Sequence, residues 1–300
     1  AKENNLTEIE SKCRGHIFDM DNKVLICNTQ RGSVTYDEFK ENVPFKYCVV
    51  EENIEGTLIN LYYYNNRWNV STKFSINADE SRFRSTKTYR QIFDSVFDWK
   101  KYENILDKKF TYSFVLSFKD NKLVTPINNT SLHHIETINN VTNENVYIDI
   151  GIKHPKIIHI DNSINGINKY INISSYDNLE KKLEKLNYTE RGYMLYSKDR
   201  KYRASMLNPK YIKVLNMIKD QSDVNYLCFE STYKKKNKGD IIKYLPEYTN
   251  KFNNVELEFK SFIKNLYDIY VKKYCFKQEI TYNNKISKLL SAINKKYLET

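Results

Sequence analysis

The feature that most restricts the fold is a set of strand-length segments between residues 47 and 76. Residues 47–50, 57–64 and 68–76 are dense in aromatic and β-branched side chains, which suit a pleated, half-buried surface. Asn65-Asn66 join the last two segments, and Asn tolerates the left-handed backbone of a tight turn. This order predicts an antiparallel β-meander. Two such strands alone are marginal in water, so other segments have to join them. Residues 13–28 alternate around a polar turn at Asp21-Asn22 and predict a hairpin. Apolar strand segments recur at 110–116, 146–152 and 156–160.

Helical spacing appears in three places. Tyr89, Phe93, Val96 and Phe97 share one face after Thr88, and a short helix is expected through Ile105 and Leu106. Ser174 or Ser175 caps a helix through Leu179, Leu183 and Leu186, and Asn208-Pro209 is a helix start. Beyond residue 220 the pattern is helical throughout. Val255, Phe259, Phe262, Leu266 and Ile269 form one stripe, and Ile286, Leu289, Leu290, Ile293 and Tyr297 another. The expected division is a β-rich domain over 1–220 and a helical domain over 221–300.

Of the 300 residues, 48 are Lys or Arg and 37 are Asp or Glu, a net charge of +11. That balance favours a polyanionic partner such as RNA; a solvated lysine-rich surface is the plain alternative. The run Lys234-Lys235-Lys236-Asn237-Lys238 is a basic loop open to the same two readings. Five widely spaced cysteines contain no Cys-x-x-Cys pair, so neither a zinc site nor a disulfide framework is expected. His133, His134, His154 and His159 match no metal spacing and read as structural. No apolar run approaches the roughly 18 residues of a membrane helix. No signal peptide is evident and the chain begins at Ala1. A soluble protein of the host cytoplasm or of a virion is expected.

Glu51-Glu52-Asn53-Ile54-Glu55-Gly56-Thr57 is an acidic turn between two strands. It resembles the Lys-x-Asp-Gly signature of covalent nucleotidyltransferases, the superfamily of ligases and capping enzymes. Four further stretches resemble the same superfamily in order, closest to the RNA ligase that repairs tRNA in T-even bacteriophages. They are Arg14-Gly15-His16-Ile17-Phe18-Asp19, then Ser71-Thr72-Lys73-Phe74-Ser75, then Thr111-Tyr112-Ser113-Phe114-Val115-Leu116 with its following loop, and Arg191-Gly192-Tyr193-Met194 leading to Arg203–Leu207. The resemblance spans residues 13–215 and implies an antiparallel β-rich α+β nucleotidyltransferase domain, here followed by a smaller all-helical region.

The same resemblance marks what is missing. Asn53 stands where the family has its lysine nucleophile, and an amide nitrogen has no basic lone pair for covalent catalysis. Val115 stands where it has one carboxylate; with the glycine aligned Arg191 stands where it has another, and a one-residue shift would offer Glu190 instead; Ser205 and Leu207 stand where it has phosphate-binding lysines. The expectation is therefore a ligase-like protein without nucleotide transfer, of viral or phage origin. Its expected role is to bind RNA, tRNA included, or to serve a protein assembly. An RNA ligase with an altered nucleophile and a purely structural viral subunit remain as alternatives. No cofactor or metal is expected, with ATP and Mg implied only if the ligase alternative holds. The candidate phosphate contacts are Arg14, Glu55, Gly56, Lys73, Lys122, Lys201 and Arg203, with Lys234, Lys235, Lys236 and Lys238 in the basic loop.

Overall fold

The structure is a computed structural model that describes residues 15–29, 32–160, 173–218, 224–234 and 237–299. The chain divides into two compact units, Ala1–Leu215 and Asn216–Thr300. The first is α+β, with antiparallel sheets, and the second is helical.

In the first unit β1 (Ile17–Asp19) and β2 (Val24–Cys27) make the expected hairpin. The meander follows as β3 (Cys48–Glu52), β4 (Thr57–Tyr64) and β5 (Arg67–Thr72), then β6 (Phe110–Ser117). Later come β7 (Ser131–Asn139), β8 (Asn145–Val146), β9 (Ile157–His159), β10 (Gly192–Ser197) and β11 (Arg203–Leu207). They assemble into a four-stranded sheet of order β11-β10-β3-β9 and a five-stranded sheet of order β5-β4-β6-β7-β8. So β3 leaves the meander and joins the smaller sheet, and the acidic turn after it passes from one sheet to the other. Asn65 and Asn66 both take positive φ, 51° and 58°, as a two-residue hairpin turn requires.

Each sheet has its own core. One face of the larger sheet buries Ile59, Leu61, Tyr112, Phe114 and Leu116 against Phe93 and Phe97. These last come from the helix Tyr89–Asp94, whose Thr88–Gln91 capping box closes its start, and the turn after it. One face of the smaller sheet buries Val50, Leu195, Ala204 and Met206 against Phe39 and Leu179. Leu179 lies on the helix Tyr176–Glu184, capped by Ser175. Burial of side chains of this size contributes about 1.5–3 kcal/mol each.

Three expectations are corrected. β5 stops at Thr72, because the Thr72 hydroxyl accepts from the Phe74 and Ser75 amides and turns the chain. Lys73 and Ser75 therefore lie beyond the strand. Residues 147–152 are not strand; only Asn145–Val146 pairs, with β7. β7 itself escapes strand periodicity: a bulge leaves Ile135 between the pairs Phe114↔His134 and Ser113↔Glu136. An extra residue reverses which side chains face the core. The short helix expected at Ile105 and Leu106 lies at Trp99–Tyr102 instead, and Leu106 is buried after it.

In the second unit the helix Thr249–Tyr270 buries Phe252, Val255 and Leu266. Its Phe259 ring lies 5.1 and 4.2 Å from Phe229 and Tyr233 of the helix Val224–Tyr233. Lys238 opens the helix Lys238–Tyr244 rather than lying in a loop, and it pairs with Glu256. Lys234 pairs with Glu230 at 2.6 Å. No helix among the described residues is long and apolar enough to cross a membrane.

Candidate functional site

Strand alternation decides what faces the space between the sheets. With Cys48 and Val50 of β3 in the core, Glu51 and then Asn53 face the opposite way. On β11, Ala204 and Met206 are core, so Arg203 and Ser205 face the same space, and Met194 and Tyr196 do so from β10. Leu58 of β4, Val115 of β6 and Ile135 of β7 face them from the larger sheet. Together with Lys73, Gly56 and Arg191 they line a cavity of about 240 Å³. The signature positions scattered from 53 to 205 thus converge in one place.

Asn53 is buried at its base. Its backbone amide donates to the Gly192 carbonyl at 3.0 Å and its side-chain amide to Ser205 Oγ at 2.9 Å. Two positions at which the resemblance implies lysines therefore satisfy one another as a neutral pair. Leu207 ends β11 opposite Gly192 and does not line this cavity. Gly56 is fixed sterically: a Cβ there would sit 2.6 Å from Val115 Cγ1 and 2.7 Å from the Leu116 carbonyl.

Glu55 is committed elsewhere. Its carboxylate accepts from the Leu123, Val124 and Thr125 amides and from the Tyr211 hydroxyl at 2.7 Å. It ties the turn after β3 to the loop after β6 and to the helix Pro209–Ile218. A carboxylate so saturated by donors is architectural, so Glu55 is not a phosphate contact.

Sequence reasoning missed the charge that links the two sheets. Arg200 sits between β10 and β11 in left-handed conformation, φ 55°, a region non-glycine residues seldom occupy. Its guanidinium lies 4.2 Å from the Tyr196 ring centroid, pairs with Glu51 of β3 and donates to the Ile135 carbonyl of β7 at 3.4 Å. One side chain thus spans both sheets. Burial pushes the Glu51 carboxyl above its ordinary range, with Arg200 opposing. Burial raises the Glu136 carboxyl as well, opposed by Arg200 and Arg203. The β7 bulge is what turns Glu136 to this side.

A larger cavity of about 980 Å³ adjoins the first and shares Asn53, Ile54 and Arg191 with it. Lys156 and Lys182 line it, and neither has an ion pair among the described residues. Burial, and then the neighbouring Lys156, lower the Lys182 pKa. Arg191 Nε and the buried Tyr193 hydroxyl also lack hydrogen-bond partners there among the described residues. Glu190 lines this cavity alone, whereas Arg191 lines both.

The other candidates separate. Arg203 lines the small cavity and a third one of about 760 Å³, where Lys201 also lies. Lys201 is exposed and 3.6 Å from Asp199. Lys122 follows the short 3-10 turn Lys119–Asn121 and lines none of these three cavities. Lys234 and Lys238 belong to the second unit and are ion-paired. Arg14, Lys235 and Lys236 lie outside the described residues. The histidines are packed: His134 bonds Thr137 at 2.9 Å, its ring lies 5.3 Å from Phe114, and burial lowers its pKa to about 4.

The donor set does not fit a metal–ATP centre. Val115 and Arg191 offer no carboxylate, Glu51 is bound to Arg200, and Glu55 is saturated. Among the described residues no three His, Cys, Asp or Glu side chains are grouped to hold a metal.

No family model matches the chain. It is 21% identical over 293 residues to a protein of Invertebrate iridescent virus 3 described as an immediate-early protein ICP-46 homolog. That match covers 89% of this chain and 63% of the viral protein, so the chain spans less than two thirds of its relative. Among solved structures it is similar to forms of the RNA ligase of Naegleria gruberi. A mutant with AMP and Mn gives a TM-score of 0.47 at 7% identity, covering 62% of this chain and 57% of that one. A second, ligand-free mutant gives 0.46 at 10% identity over 69% and 61%. The functional reading below rests on the site itself.

Proposed function

We propose that this chain is a viral RNA ligase-like protein that does not transfer nucleotides and instead binds RNA along its cleft. The observation that carries the proposal is Asn53, whose amide is spent on Ser205 in a cavity where Glu51 is already paired with Arg200. An amine nucleophile, two carboxylates and two lysines would be needed there for nucleotide transfer. Loss of one such group costs orders of magnitude in rate. The similarity to an iridescent-virus protein supports a viral source.

RNA is favoured by the +11 charge and by Lys156 and Lys182 of the 980 Å³ cavity, which have no ion pair among the described residues. Single-stranded binding that neutralises Z phosphates has a log–log salt slope of about −0.7Z. Contacts from Lys156, Lys182 and Arg191 correspond to a slope of about −2. Titration of a labelled single-stranded RNA at several salt concentrations tests this. Binding with such a slope is expected. Absence of binding even at low salt would reject the RNA reading and favour a role confined to protein assembly.

A further inference from the structure

The 760 Å³ cavity lies apart from Asn53, Val115, Arg191 and Ser205, and of the stretches that resemble the ligases only His16, Phe18 and Arg203 line it. Three hairpin regions enclose it: β1–β2, β7–β8 and β10–β11. Its deepest polar group is Glu136. This side chain is 7% exposed, and Asn145 Nδ2 holds its Oε2 at 2.8 Å. Its Oε1 has no hydrogen-bond partner among the described residues. A buried acceptor left open costs free energy unless a ligand donates to it. Asn145 fixes the orientation of the carboxyl through Oε2 and leaves Oε1 buried without a donor among the described residues.

The surroundings narrow the donor. Arg203 lines the cavity beside Glu136, and Asn28 and Asn143, bonded to each other at 2.8 Å, add amide edges. Phe18 lies at the rim, 52% exposed, a flat apolar face held on a strand. Lys23, Lys201 and Arg200 line it as well, with Asp199 and Glu144 as further carboxylates. An open acceptor within, an aromatic face at the rim and cations around them fit a planar, amino-bearing ring on a phosphate backbone. A bare phosphate would meet the Glu136 oxygen unfavourably. A duplex base would not expose its pairing edge.

We infer that this cavity takes one unpaired nucleobase of single-stranded RNA, with Glu136 accepting a hydrogen bond from the base's exocyclic amino group. A carboxyl group receiving the N4 amino group of cytosine is an established pairing, with Phe18 as the stacking face. The inference rests on the RNA-binding reading above and adds the base-edge chemistry and its location.

Oligocytidine and oligouridine of equal length test it, because they differ at position 4 of the ring, amino donor against carbonyl acceptor. Wild-type protein is expected to bind the cytidine oligomer on the order of tenfold more tightly, the effect of one good edge contact. Glu136→Gln, an isosteric change that can turn its own amino group to the uridine carbonyl, is expected to bring that ratio close to one. It leaves the salt slope unchanged. Phe18→Ala, at an exposed position that leaves the core untouched, is expected to weaken both oligomers by a similar factor. Equal binding of the two oligomers by wild type, or a ratio unchanged by Glu136→Gln, overturns the pocket assignment while RNA binding stands. Failure of both oligomers to bind at low salt overturns the pocket and the RNA reading together.

Discussion

Arg200→Met removes the charge that spans the cleft and leaves its volume largely filled. Arg200 and Glu51 are 19% and 6% exposed in their side chains, so the pair is largely withdrawn from water. Removing one partner of a buried pair costs about 3–5 kcal/mol, mostly because the other charge is stranded. For a unit of this size each kcal/mol moves the melting temperature by about 2–4 °C. The expected loss is therefore roughly 6–20 °C by differential scanning calorimetry. The double variant Glu51→Leu/Arg200→Met leaves neither member of the pair stranded, with Arg203 still beside Glu136, and is expected to recover most of the loss.

The loss also has a pH signature. Burial already raises the Glu51 carboxyl, and Arg200 opposes that rise; without the arginine it climbs further. An acid whose folded pKa exceeds its unfolded value holds its proton more tightly in the folded chain. Its cost is absent at low pH, where both states are protonated, and grows as pH rises through that interval. The deficit of Arg200→Met is expected to shrink as pH is lowered from about 8 to about 5. A loss below about 1 kcal/mol, or a double variant no more stable than the single one, would refute the clamp.

Other substitutions probe the same framework. His134, lowered to about 4 from an ordinary 6.5, makes folding less favourable as pH falls through that window, by about 3 kcal/mol in full. His134→Phe is expected to flatten that part of the stability–pH curve measured by urea unfolding. Gly56→Ala drives a methyl group into Val115 and the Leu116 carbonyl. It is expected to cost at least about 1–3 kcal/mol in the same measurement, and a neutral result would contradict the close packing. Lys156→Ala/Lys182→Ala is expected to weaken single-stranded RNA binding and to reduce the magnitude of its salt slope by about 1.4, with the melting temperature little changed.

The sequence carried β4 and β5 well, because both are dense in aromatic and β-branched side chains and Asn65-Asn66 tolerate the positive φ of a tight turn. It also carried the convergence of positions 53, 115, 191 and 205, since residues in fixed signatures keep their register within strands. β7 stayed hidden because its bulge at Ile135 breaks the alternation that reveals a strand, and Glu136 was hidden with it. Arg200 gave no signal: its place in the cleft comes from a left-handed turn, which no residue pattern there announces. Lys156 and Lys182 are far apart in the chain and meet only because β9 borders β3 in the smaller sheet near the helix Tyr176–Glu184. Glu55 was legible as a signature residue, yet its partners, three backbone amides and Tyr211, exist only in the folded chain.

The central claim is that the cleft is closed to nucleotide transfer by several coordinated replacements, Asn53 among them. Incubation with labelled ATP or GTP and a divalent cation, followed by denaturing electrophoresis, tests it directly when Asn53→Lys is run alongside wild type. No covalent adduct is expected on either protein, because a restored amine still meets Val115, Arg191, Ser205 and the Arg200 clamp. An adduct on wild type would contradict the claim outright. An adduct on Asn53→Lys alone would reduce the loss to a single residue and return the chain to the ligases.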